Sequence, residues 1–189
     1  MSAYNPGVAD ETLLNSNRGA TYWLNLNESA FLEDVRIEHY RGPGPGGQKR
    51  NKTSNSVRLT HEPTGVQVVA SESRSAALNE LHALRRLKLK LAATLRTPID
   101  PRDFEPPAWW QSVMHSQRIA VAERNPLYAL TGAFCLDLLD AMHGSAADAA
   151  ALLGVSTSSL VKFLHGESSL WAAANSIRKV NGKPPLRHA

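Results

Sequence analysis

The residues with the most distinctive chemistry are Gly46, Gly47 and Gln48, which close the run Arg41-Gly42-Pro43-Gly44-Pro45-Gly46-Gly47-Gln48. Four glycines and two prolines fill the six positions before the glutamine. Proline fixes φ and removes an amide donor, and glycine admits φ > 0 and the close approach of another surface, so the run forms neither helix nor strand. Gly46 and Gly47 allow a main-chain orientation that a side chain would block. The residues that follow are basic: Lys49, Arg50, Lys52 and then Arg58. A tip with almost no side chains, set among cations, suits a tight polyanionic pocket. The other candidates for chemistry are weaker. The seven histidines show no metal-ligand spacing and form no triad with Cys135, the one cysteine. His61 beside Glu62 reads as a strand-end residue rather than a general base, and Cys135 as a core residue rather than a nucleophile. Neither a metal nor a cofactor is expected.

The elements that must position this tip are legible from periodicity. Asn27 is a candidate N-cap for a short helix over 28–32. Residues 35–40 alternate apolar and polar and read as a strand leading into the loop, and residues 56–61 and 66–70 read as two more. The second and third of these are joined by the turn Glu62-Pro63-Thr64-Gly65. Ser75 can cap a helix to about residue 95, with Leu78, Leu81, Leu84, Leu87 and Leu91 as its core stripe and Arg85, Arg86, Lys88 and Lys90 exposed. One helix on a small mixed or antiparallel sheet, with the loop protruding, makes an α+β fold class.

The remainder reads as helical. Residues 1–27 form an arm with little periodicity, pinned to a neighbour by Trp23 and Leu24. Residues 28–96 are the α+β domain and 97–107 a proline-rich linker. Residues 108–189 are an all-helical domain with helices over 109–123, 126–142, 145–153, 157–165 and 168–180. A short basic tail, disordered at Lys183-Pro184-Pro185, follows.

Of 189 residues, 42% are hydrophobic and 20% charged, as in globular proteins. No apolar run approaches 18 residues, so no membrane span is expected. Residues 1–27 lack the pattern of a signal peptide and carry two acids against one arginine, unlike a transit peptide. A single cysteine fits a reducing compartment, and a cytoplasmic location is expected. Charge is unevenly spread: the net is −4 over 1–40, +8 over 41–96 and zero over 97–189. Positive charge concentrated around the glycine loop is the electrostatic footprint of a nucleic-acid partner.

Gly46-Gly47-Gln48, followed by Asn51-Lys52-Thr53, Val57-Arg58-Leu59-Thr60-His61, Pro63-Thr64-Gly65-Val66 and Arg74-Ser75, resembles the catalytic domain of class I peptide chain release factors. The resemblance covers roughly residues 28–96. It implies hydrolysis of the peptidyl-tRNA ester at the peptidyl transferase centre of the large ribosomal subunit. Water attacks, and the main-chain N–H of Gln48 donates to the developing oxyanion while its side chain restricts the pocket to water. Gly46, Gly47 and Gln48 are then the catalytic set. Arg41, Lys49, Arg50, Asn51, Lys52, Thr53, Arg58 and Arg74 are the expected contacts to rRNA and tRNA. Lys49-Arg50 departs from the His-Val that many members carry, which adds charge for phosphate contact. Residues before 28 are too few for a codon-reading domain, so the chain resembles the short, codon-independent members that rescue stalled ribosomes, acting as a monomer. Its helical C-terminal part has no counterpart there.

Within that part, Ala150-Ala151-Leu152-Leu153-Gly154-Val155-Ser156-Thr157-Ser158-Ser159-Leu160 and on to Gly166 resembles a repressor-type helix-turn-helix over 145–166. Thr157, Ser158, Val161 and Lys162 are its expected outward residues. Two rival functions stay open: a non-catalytic ribosome- or RNA-binding protein that keeps the loop for docking, and a DNA-binding regulator acting through this motif.

Overall fold

The computed structural model describes residues 18–40 and 55–187. The residues divide into two compact units: one ends at Arg18 and resumes over 26–88, and the other comprises 19–25 and 89–189.

In the first unit, the chain runs through helix α2 (Glu28–Glu33) into strands β1 (Val35–Tyr40), β2 (Ser56–His61) and β3 (Val66–Ala70). The capping at α2 is as expected: the Asn27 side-chain oxygen accepts from the Ala30 N–H at 2.9 Å. The sheet is antiparallel in the order β1-β2-β3, with Val35 opposite His61 and Tyr40 opposite Ser56. Register across the second pair sets Val57 against Ala70 and Leu59 against Val68. Val57, Leu59 and Ala70 are buried, so the period-two pattern points one face inward. The β2–β3 turn closes through Gly65, whose φ of +67° lies in the left-handed region and whose N–H reaches the His61 carbonyl at 2.8 Å.

Helix α3 (Ala76–Thr94) follows. The Ser75 hydroxyl accepts from the Leu78 N–H at 3.4 Å, which places the cap where the sequence put it. The buried stripe differs from expectation. Asn79, Ala83, Leu87 and Leu91 recur every four residues and are fully buried, whereas Leu78 and Leu81 are 49% and 62% exposed. On the exposed side of the helix, the Arg86 guanidinium donates to the Val69 carbonyl of β3 at 2.9 Å.

The second unit is built around helix α4 (Tyr128–Ala141), buried at every position from Tyr128 to Leu139. A helix apolar on all sides is a core element. Around it stand α1 (Ala20–Leu24), α5 (Ala146–Leu153), α6 (Thr157–His165) and α7 (Ser168–Val180). The expected boundaries of α5, α6 and α7 hold within a residue. Ser145 and Ser156 cap with their hydroxyls, and Gly154 ends α5 at φ +69°. Trp23 is 2% exposed and Leu24 packs on the core, so both residues anchor as expected.

Three expectations fail here. Residues 109–123 are not a helix. Ala108–Ser112 is a 3-10 turn, and Met114–His115 (β4) pairs with Arg118–Ile119 (β5) in a hairpin. Its two tip residues, Ser116 and Gln117, both have positive φ, the pattern of a type I′ turn. Distant partners outweigh helical propensity: the Trp110 indole N–H donates to the Leu153 carbonyl at 2.9 Å, and the Gln117 carbonyl accepts from the Ser156 N–H at 2.9 Å. The unit is therefore not all-helical. Second, the segment at 183–185 is tied down. Arg178 donates to the Gly144 carbonyl at 2.5 Å and the Pro184 carbonyl at 2.7 Å, and the Leu186 N–H donates to the Asn175 side chain at 2.8 Å. Third, Gly19 is no mere punctuation in an arm. A Cβ there would stand 2.6 Å from the Arg96 carbonyl, so only glycine admits this close approach.

Candidate functional site

Of the residues singled out for function, Arg41, Gly46, Gly47, Gln48, Lys49, Arg50, Asn51, Lys52 and Thr53 lie outside the described residues. What the structure defines is the frame on which they are mounted. Residues 41–54 leave the sheet at Tyr40 and return at Asn55, and Tyr40 pairs with Ser56 across β1 and β2. The two stems of the glycine segment are therefore adjacent strand ends.

Tyr40 ends the outgoing stem on β1, and Arg58 stands opposite on the returning strand β2. The Arg58 guanidinium lies 5.1 Å from the centroid of the Tyr40 ring, and its Nη1 is 3.9 Å from Glu38 Oε2. Glu38 and Arg58 are register partners, so the pair follows directly from the strand alignment. Its electrostatic worth at this exposure is about 0–1 kcal/mol. Arg58 thus sits at the foot of the loop, with its charge partly offset by Glu38. Arg74 lies on the returning side, exposed, just ahead of α3.

The returning stem is fixed by Asn79, a residue that the sequence did not bring forward. Its side chain is completely buried. The Asn79 amide donates to the Asn55 carbonyl at 2.6 Å and to the Ser73 carbonyl at 2.9 Å, while its oxygen accepts from the Ser73 N–H at 2.8 Å. All three bonds go to main chain, so the contact fixes backbone position independently of neighbouring side chains. The signal was present: an asparagine in the first turn of a helix, in step with Ala83, Leu87 and Leu91, places a polar group on the apolar stripe.

Two further polar groups set the electrostatics. His61 is fully buried, with its Nδ1 2.8 Å from the Thr64 hydroxyl and its ring stacked at 5.7 Å on Phe31. Burial lowers its pKa below the usual histidine value, and Asp34 opposes this. A neutral, enclosed imidazole at the far end of β2 from the loop stems is a structural group. The basic face of α3 is partly neutralised: Arg86 pairs with Glu72 at 2.8 Å, and Lys88 lies over the Phe31 ring at 5.2 Å. Arg85 and Lys90 are exposed on the same helix. Among the described residues, no group of three or more His, Cys, Asp or Glu is placed to hold a metal ion.

In the second unit, α5 and α6 meet at 104° across the turn of Gly154, Val155 and Ser156. This lies within the range of a helix-turn-helix. Thr157, Ser158 and Lys162 are exposed as expected, whereas Val161 is half-buried and packs against the core and does not face outward. Beside it lies a cleft of about 570 Å³ whose lining includes Arg118, Lys162, Glu123 and Ser158.

Comparison with known proteins bears on the first of these arrangements. Residues 28–119 match the model of the RF-1 domain. Peptide chain release factor 2 of Neisseria meningitidis is 50% identical over 92 residues, 47% of this chain and 25% of that protein. The protein of the same name from Rhodococcus erythropolis is 42% identical over 73 residues, 39% of this chain and 19% of its own. That from Mycobacterium avium is 45% identical over 64 residues, 34% and 17% respectively. The chain thus spans a quarter or less of the length of these relatives. Residues 28–119, just under half of the chain, are thus similar to the RF-1 domain, the catalytic domain of class I release factors.

Proposed function

We propose that the chain hydrolyses peptidyl-tRNA on the ribosome without reading a codon, as a rescue factor for stalled ribosomes. The observation that carries this reading is the placement of Gly46-Gly47-Gln48 within the stretch similar to the RF-1 domain, on a segment whose two stems are paired strand ends. Adjacent stems let a short segment stand away from its sheet as one unit, as a tip entering a confined RNA pocket requires.

In this mechanism the substrate is an ester, already activated, and water is the nucleophile. The main-chain N–H of Gln48 donates to the oxyanion, where one such donor is worth about 10²–10³ in rate. Gly46 and Gly47 leave room for the required backbone path. Arg41, Lys49, Arg50, Lys52, Arg58 and Arg74 neutralise rRNA phosphates, with Asn51 and Thr53 adding polar contacts to rRNA and tRNA. The protein acts as a cytoplasmic monomer. Codon independence is the finer part of this reading, and it is the part that the three programmed ribosome complexes below decide.

The test is nascent-peptide release from ribosomes programmed with a stop codon, a sense codon or a message truncated in the decoding site. Release that does not depend on a stop codon, and that is lost in Gln48→Ala, is expected. Release only at stop codons would refute codon independence. Tight ribosome binding with no release from any of the three complexes would favour the docking-only rival.

A further inference from the structure

We propose that Asn79 is a positioning residue for the reaction proposed above, on which this inference rests. Its side chain holds the main chain at Asn55, where the chain re-enters the sheet after the glycine segment, and the rate of the chemical step depends on that anchor.

Three observations lead here. First, the burial is complete, and an asparagine on an otherwise apolar stripe is costly unless its polar atoms are bonded. Second, both Asn79 amide hydrogens and its oxygen are used, at 2.6, 2.9 and 2.8 Å, each on main chain. Third, the partners are not consecutive. Asn55 lies 24 residues before Asn79 and ends the loop, whereas Ser73 lies six before it and ends the run from β3. One side chain therefore ties three pieces of the first unit together: the first turn of α3, the Ser73 turn and the returning stem. A second contact links the two strands: Arg58 of β2 stacks over Tyr40 at the end of β1, between side chains that are partly exposed. Among the described residues, it is the returning stem whose backbone is held by a fully buried side chain.

A transition state that relies on one main-chain N–H is sensitive to where that N–H points. Loosening the stem therefore lowers the rate of the chemical step and leaves binding intact, because the cations that attract RNA are elsewhere. A group that only adds stability would lower the melting temperature and leave the rate constant of the folded protein unchanged.

The experiment compares wild type, Asn79→Ala and Asn79→Asp in the full chain. Asn79→Asp keeps the acceptor for the Ser73 N–H and removes both donations, and it serves if the alanine variant does not fold. Release is measured at saturating protein, alongside the concentration giving half the maximal rate. Leu136→Val, a core change in α4 of the second unit, is the control for lost stability. The expected result is a rate constant at least tenfold lower for both Asn79 variants, a half-saturating concentration within about twofold of wild type, and no change in rate constant for Leu136→Val. Amide exchange is read in parallel: it should accelerate at Ser56 and Tyr40, beside the loop, more than at His61, the far end of β2. A rate constant within twofold of wild type, or equal acceleration at both ends of β2, would overturn the proposal. If the wild type releases no peptide, the functional reading fails, and the exchange pattern alone still decides whether Asn79 holds the stem.

Discussion

The two units are held together by different means. The second has an apolar helix at its centre, and twelve consecutive residues of α4 are buried. The first has three short strands and one helix face, and some of its fully buried groups are polar: His61 and Asn79. A unit of three short strands and one helix face has little apolar surface to spare, and directional hydrogen bonds define where its backbone goes. A unit that only has to pack can rely on area. Stability should therefore respond to volume and buried charge in the second unit, and to protonation and hydrogen-bond geometry in the first.

The strongest challenge to that contrast lies in the buried carboxylate of Asp137 and its partner Arg96 in the second unit. Asp137 has no side-chain exposure; its carboxylate receives Arg96 at 3.2 Å, the Thr97 N–H at 3.0 Å and the Thr21 hydroxyl at 2.7 Å. Asp137→Ala leaves these donors without their acceptor and is expected to cost about 3 kcal/mol. All four tryptophans, Trp23, Trp109, Trp110 and Trp171, belong to this unit, so denaturation followed by their fluorescence reads it directly. A loss under about 1 kcal/mol would show that the unit rests on apolar packing alone.

Volume is the next lever. A Cβ on Gly132 would lie 2.7 Å from Leu170 Cδ1, and Leu170 is fully buried. Gly132→Ala is expected to destabilise by about 1–2 kcal/mol through overpacking of α4 against α7. A neutral result would mean that the α4–α7 interface has slack.

The first unit should instead show pH dependence. Burial holds His61 neutral in the folded protein, while the unfolded chain takes up its proton near 6.5. The unfolded state then binds more protons, so stability present above pH 6.5 falls as pH drops below it. Amide exchange along β2 between pH 7.5 and 5.5 measures this, and His61→Gln should flatten the slope. An unchanged slope would assign it to other groups. The smallest effect is expected on the surface: Glu72→Gln breaks an exposed pair with Arg86 and should change stability by less than about 0.5 kcal/mol.

How much was legible in the sequence divides along similar lines. The caps Asn27 and Ser75 were readable because each acts within four residues, through a side-chain oxygen on a nearby N–H. The strands followed from alternation. Residues 109–123 were misread because their conformation is imposed from some 40 residues away, through Leu153, Ser156 and Ser159. Leu78 and Leu81 were misplaced because leucine count outweighed the four-residue step that Asn79, Ala83 and Leu87 define. Gly19 and Asn79 escaped for one reason: each matters through a main-chain partner far along the chain, Arg96 for the first and Asn55 for the second.

The most direct measurement is the single-turnover rate of peptide release, at saturating protein, from ribosomes stalled on a truncated message, for wild type and Gly47→Ala. The account predicts release by the wild type and a rate at least tenfold lower for the variant, with binding retained, because a methyl group on Gly47 obstructs the backbone path that presents the Gln48 N–H. Equal rates for the two proteins would contradict it.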